Sequence, residues 1–113
     1  MAEPCLFCRI ASGEIPAKLV AEGATCIAFR DVNPQAPVHV LVIPTEHVES
    51  LNETSDPQFL GDLLVAAREV ARQQRVDVRG YRVVINTKAE SGQTVPHIHV
   101  HLLGGRAMHW PPG

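Results

Sequence analysis

Three histidines alternate with apolar residues in His97-Ile98-His99-Val100-His101, and the run of β-formers continues into Leu102 and Leu103. Alternate side chains of a strand share a face, so the three imidazoles are predicted to point one way and Ile98, Val100 and Leu102 the other. Imidazole titrates near neutrality, which suits it to nucleophilic attack, proton transfer or metal ligation. Three such rings on one face serve neither packing nor solubility well, so the pattern reads as a site rather than as a histidine-rich edge.

Polar groups elsewhere narrow these chemistries. Gly92-Gln93-Thr94, just upstream, offers backbone N–H groups, a hydroxyl and a glycine that lets the chain approach phosphate oxygens. Asn86 ends the preceding strand and Asp31 opens a loop after another. Taken singly, Asp31 would only cap a turn, Asn86 end a strand and Thr94 occupy a loop. His39 alone would be a hydrogen-bonded core residue. Together with the three alternating histidines they suggest a nucleotide pocket.

The elements that must position these groups follow from periodicity and punctuation. Residues 5–11 form a short amphipathic stretch, and Gly13 and Pro16 break into a loop before Leu19-Val20-Ala21-Glu22. A turn at Glu22-Gly23-Ala24 leads into the strand 25–30, giving a hairpin. Asp31 to Pro37, with two prolines and an asparagine, is a connecting loop. Val38 to Ile43 is a nearly continuous apolar run stopped by Pro44, predicted to be a central strand buried on both faces. Leu60, Leu63, Leu64, Ala67, Val70 and Ala71 recur at helical spacing, which predicts one long helix over 57–75 with Asp56 or Ser55 as N-cap and Pro57 in its first turn. Residues 81–86 read as a strand, 91–94 as a flexible polar loop, and the histidine run as the last strand. The order predicts an α+β domain with a mainly antiparallel sheet.

At 113 residues the chain fits one domain. Hydrophobic content of 45% and charged content of 19% are ordinary for a globular protein, and no apolar stretch is long enough to span a bilayer. A formal net charge of −2, with no basic run, argues against binding a nucleic-acid polymer. Met1-Ala2-Glu3-Pro4 lacks the character of a secretory signal, so a cytoplasmic location without membrane association is expected. Cys5, Cys8 and Cys26 are an odd set and are expected to be reduced.

The motif His97-Ile98-His99-Val100-His101-Leu102-Leu103 resembles the defining pattern of the histidine-triad (HIT) family. The similarity is strongest to its Hint branch of purine nucleoside phosphoramidases. It extends through Glu14-Ile15-Pro16-Ala17, the segment Phe29 to Pro37, His39 to Pro44, Gly80-Tyr81-Arg82, Gly92-Gln93-Thr94, Leu103-Gly104-Gly105-Arg106 and the terminal His109 to Gly113, essentially the whole chain. One departure is Pro96 after Val95, where Hint sequences usually carry an aromatic residue. Proline has no ladder donor, so pairing would begin at His97 or Pro96 would lie at an edge.

The resemblance implies a single HIT domain over 1–113, with a five-stranded, mainly antiparallel sheet, one long helix and one short helix. It implies hydrolysis of the P–N bond of adenosine or guanosine 5′-phosphoramidates through a nucleotidyl intermediate on His99. His101 would bind phosphate oxygen, His39 would orient or relay protons, Thr94 would hydrogen-bond the phosphate or leaving atom, and His97 would have a partly structural place. Asp31 would accept both ribose hydroxyls, with Val32 against the base and Asn86, Gly92 and Gln93 on the phosphate side. A homodimer is implied, in which Trp110 reaches the partner's active site with support from Arg106. No cofactor is required for this chemistry. Cys5 and Cys8 with His47 and His97 match a zinc arrangement seen in some relatives, although the two cysteines can equally pack as small apolar groups. Two other functions stay open: a dinucleoside polyphosphate hydrolase of the Fhit type, and a nucleotide-binding interaction protein with vestigial hydrolysis. The physiological amine and the choice between adenine and guanine are not legible in the chain.

Overall fold

In the computed structural model, which describes residues 5–113, the elements are α1 (Leu6–Ala11), β1 (Leu19–Glu22), β2 (Cys26–Arg30), β3 (Val38–Pro44), α2 (Pro57–Gln73), β4 (Tyr81–Val84) and β5 (Val100–Gly104). Residues 1–4, on which the reading of the N-terminus rests, lie outside the described residues. Short 3-10 turns cover Leu51–Glu53 and Ala89–Ser91. The five strands form one antiparallel sheet in the order β1-β2-β3-β5-β4. The predicted α+β architecture, with one long helix, one short helix and a five-stranded sheet, is the one observed.

Strand alternation divides the core. Val40 and Val42 of β3, Val100 and Leu102 of β5, and Ile98 pack beneath α2 against Leu63, Ala67, Val70 and Ala71. These side chains are almost wholly removed from water, and each valine, leucine and isoleucine among them contributes about 1.5–3 kcal/mol by burial. α2 begins as its sequence requires, with the Asp56 carboxylate accepting from the Gln58 N–H and Pro57 in the first turn. On the opposite face Phe7 of α1 packs with Ile27, Phe29, Leu41 and Ile43. A Cβ on Gly104 would lie 2.8 Å from the Val76 side chain, so only glycine permits the end of β5 to close against the chain leaving α2.

Two expectations need correction. The histidine run is not all strand: laddering begins at Val100, opposite Val42, and His97, in a bend, and His99 precede it outside the ladder. Ile98 N–H instead donates to Val48 O at 2.7 Å, which draws the segment toward the chain after β3 and away from the ladder. Similarly, β4 ends at Val84, opposite His101, two residues short of Asn86. Among the described residues no helix is long and apolar enough to cross a membrane.

Candidate functional site

The alternation of the histidine run survives the loss of ladder pairing. Ile98 is buried under α2, while His97 and His99 meet Phe7 on the other face, with ring centroids 5.9 and 5.0 Å from the phenyl ring in edge-on contacts. His99 and His101 are themselves 5.1 Å apart. β3 supplies the fourth ring. Leu41 lies opposite His101, so His39 stands on the same face as its diagonal neighbour, and His39 Nε2 comes within 3.0 Å of His101 Nδ1.

Hydrogen-bond partners fix which nitrogen of each ring carries the proton. The carbonyl of His97 can only accept, so His99 Nδ1, 2.8 Å away, is the protonated nitrogen. The lone pair of His99 is therefore on Nε2. The Gln35 backbone N–H donates to His39 Nδ1 at 3.0 Å, which places the His39 proton on Nε2 and points it at His101 Nδ1. His101 then accepts through Nδ1 and carries its own proton on Nε2. One backbone donor thus orients two rings in series.

All four rings in and beside the run are held neutral. Burial pushes the pKa of His39 and His99 below the ordinary imidazole value, against the upward pull of Asp31 on His39 and of the His97 carbonyl and Asp31 on His99. His101 is lowered to about 4, by burial first and then by the adjacent His99 and His39. His97 is lowered by burial. The set offers one unprotonated nucleophilic nitrogen on His99 and one outward N–H donor on His101, without a charge to be neutralised first.

The other predicted residues are distributed unevenly. Asp31 is at the site, with Oδ2 3.4 Å from His39 Nε2, and its Oδ1 also accepts from the Asn33 N–H, so the turn-capping role is real as well. Val32 is fully exposed beside it. Asn86 is half-buried, and Thr94 is exposed with its hydroxyl uncommitted among the described residues. The loop at 91–94 is not slack: the Gln93 amide donates to Glu49 O and Val95 O, and its side-chain carbonyl accepts from the Lys88 N–H. The Gln93 backbone N–H also donates to Lys88 O at 3.3 Å, and the Gly92 N–H to Ala89 O at 3.0 Å, so the loop is braced through both backbone and side chain. Gly92 adopts φ +89 in the same turn. Trp110 is 82% exposed, and its tail is anchored by Arg82 Nη2 donating to His109 O at 2.9 Å. Phe7, which stands against both His97 and His99, is a site residue that sequence reasoning missed. Its apolar type in a short helix carries no chemical signal.

A second cluster lies at the other end of the run. His97 Nε2 donates to Pro44 O at 2.9 Å, leaving the lone pair of Nδ1 facing Cys5 Sγ at 3.2 Å, Cys8 Sγ at 3.5 Å and His47 Nδ1 at 3.2 Å. Cys5 and Cys8 Sγ are 3.2 Å apart, and His47 Nδ1 is 3.6 and 3.2 Å from them. The six separations are nearly equal, as for the corners of a tetrahedron around one point. Two thiols and two imidazoles are the donor set of a closed structural zinc site, and the tautomer of His97 suits ligation. Packing as small apolar groups accounts for neither the convergence nor the exposed ring of His47 within it.

Comparison with known proteins agrees with this geometry. Residues 12–108 match the family model described as HIT domain. The chain is 51% identical to an uncharacterized HIT-like protein of Synechococcus elongatus, with all of both chains covered, and 50% identical to another of Synechocystis, again over both full lengths. Its structure is similar to that of a HIT family hydrolase from Legionella pneumophila, with a TM-score of 0.95 at 48% identity over 97% of this chain and 100% of that one. It is also similar to a histidine triad nucleotide-binding protein from Candida albicans, with a TM-score of 0.83 at 32% identity over 96% of this chain and 83% of that one. On its fold, its histidine run and these matches, the chain belongs to the HIT domain family.

Proposed function

We propose that this protein is a purine nucleoside phosphoramidase that releases a nucleoside monophosphate through an intermediate on His99. The single observation that carries the reading is the bond from His99 Nδ1–H to the His97 carbonyl, which leaves Nε2 free to attack. As Nε2 bonds to the α-phosphorus, positive charge spreads to Nδ1–H, where the carbonyl stabilises it. The P–N bond breaks as the leaving nitrogen takes a proton from solvent, and the later attack of water on phosphorus returns one proton to solvent. Water then cleaves the P–Nε2 bond and regenerates the imidazole. His101 Nε2–H donates to a phosphate oxygen, and His39 holds that tautomer in place. Thr94 serves the phosphate or leaving atom, Asn86, Gly92 and Gln93 lie on the phosphate side, and Asp31 accepts from the ribose hydroxyls beside Val32.

A structural zinc on Cys5, Cys8, His47 and His97 fits this reading. Four protein ligands leave no open position, so the ion would cross-link α1 to the histidine segment and keep Phe7 against His99 without entering the reaction. We also assign a cytoplasmic homodimer. It is supported by the unpaired edge of β4 with Val83 exposed, by exposed Leu64 of α2, and by a tryptophan that nothing in its own protomer covers. Trp110 would then contribute to the partner's leaving-group side.

The test is mass spectrometry of protein quenched during turnover of an adenosine 5′-phosphoramidate. A mass increase of one nucleoside monophosphate, mapped to His99, is expected; an adduct on another residue, or none under burst conditions, overturns the mechanism. A kcat/KM higher by orders of magnitude for a dinucleoside polyphosphate would instead favour the Fhit-type reaction, which the same nucleophile can perform on a P–O–P link. Turnover of neither substrate would favour a nucleotide-binding interaction role.

A further inference from the structure

Away from the histidines, where α2 ends, β4 begins and β5 ends, the chain encloses a cavity of about 370 Å3 whose wall carries Arg75, Arg79 and Arg106. No acidic residue lines it, and among the described residues none of the three guanidiniums is in an ion pair. Arg106 is partly committed: Nε donates to Gln35 O at 2.9 Å and Nη1 to Ala107 O at 3.0 Å, which positions the fork and leaves Nη2 to the cavity. Three exposed arginines from separate segments line one cavity in a protein whose net charge is −2.

Arg75 adds an independent observation. It follows the end of α2 with φ +61, the left-handed conformation that wraps the helix terminus, while Val76 N–H returns to Ala71 O at 3.0 Å. Glycine is the residue that this position favours, because a Cβ is strained there. The chain instead holds an arginine in the strained conformation and on the cavity wall, the kind of local strain that accompanies ligand sites. Gly105, which also lines the cavity, has φ +88, and a Cβ there would lie 2.9 Å from Pro37, so this stretch of wall stays glycine.

We propose that this cavity is a second anion site, distinct from the histidine cluster, which takes a phosphate-class ligand: free phosphate or pyrophosphate, or the terminal phosphates of a nucleotide. Planar guanidiniums make paired hydrogen bonds to phosphate oxygens, and three from separate elements suit a tetrahedral or bridged anion.

The test follows the amides of Gly80 and Gly105 by NMR in the full-length protein at low salt as inorganic phosphate, pyrophosphate or ATP is added. Saturable shifts with a Kd of about 1 mM or tighter are expected at both glycines, weakened by salt. Arg75→Gly and Arg79→Ala should each weaken binding at least about tenfold, as loss of a charge-assisted fork requires. Arg75→Gly should melt at or above the wild-type temperature, because glycine relieves the left-handed strain, so its loss of binding is not loss of fold. Arg106 is left intact because it also holds Gln35, which orients His39. Tighter binding of ATP than of pyrophosphate identifies a nucleotide as the source, and the reverse identifies the free anion. Shifts confined to the histidine segment, no saturable shift at the two glycines, or unchanged binding in both variants would overturn the proposal.

Discussion

His97 and His101 are the same residue type four positions apart on one face, yet they turn different nitrogens to different partners. His97 sends Nε2–H into the Pro44 carbonyl and turns its lone pair toward two thiols and His47. His101 turns its lone pair toward His39 and keeps an N–H outward. Between them His99 donates to the backbone of His97 and so holds its reactive nitrogen free. What distinguishes three identical rings is the partner of the nitrogen that does no chemistry. A carbonyl partner forces a lone pair onto the far nitrogen, whereas an N–H partner forces a proton there.

That contrast can be broken at either end or in the middle. The largest effect is expected at the centre: His99→Ala should lower kcat by about 10^4-fold or more, as loss of a covalent nucleophile does, while nucleotide binding measured by calorimetry persists. Retained turnover would remove His99 from the mechanism. At the His97 end, Cys8→Ser should abolish stoichiometric zinc by elemental analysis and cost about 3–4 kcal/mol of ligand-linked stability, a fall in Tm of roughly 10–20 °C. Wild-type protein that is folded, metal-free and equally stable would leave His97 with its Pro44 bond alone.

The His101 end is sharpened by pH. The folded-state pKa of His101 is about 4, against an ordinary imidazole value of 6.5, so below pH 6.5 the unfolded chain binds protons that the folded protein refuses. Stability is therefore full above about pH 6.5, falls as pH drops toward 4 and levels off below it. His39, lowered by the same burial, adds to the loss in the same direction. Denaturation midpoints measured across this window should fall for the wild type and less steeply for His101→Gln; a flat profile would mean that the ring is solvated. The smallest effect is expected at Thr94→Ala, a loss in kcat of less than about tenfold with unchanged Tm, because an exposed hydroxyl contributes about one hydrogen bond.

Much of the architecture was legible because it rests on local periodicity. The 3.6-residue spacing from Leu60 to Ala71 and the cap at Asp56 gave α2, and the apolar run 38–43 gave the central strand. The face-sharing of the histidines was legible too, since alternation needs only an extended backbone and not a ladder. Ladder extent was not legible: Val48 O competes for the Ile98 N–H, and that competitor is 50 residues away. The bracing role of Gln93 was equally hidden, because its partners Glu49 and Lys88 come from two separate segments.

The chain by itself determined which residues can do chemistry and which face they occupy, for side-chain type and strand alternation are local properties. Only the tertiary structure decided what each imidazole does. Tautomer, neutrality and ligand geometry depend on atoms that folding brings from Gln35, Pro44 and the Cys5–Cys8 turn, and on the burial that removes water from His39, His97 and His99.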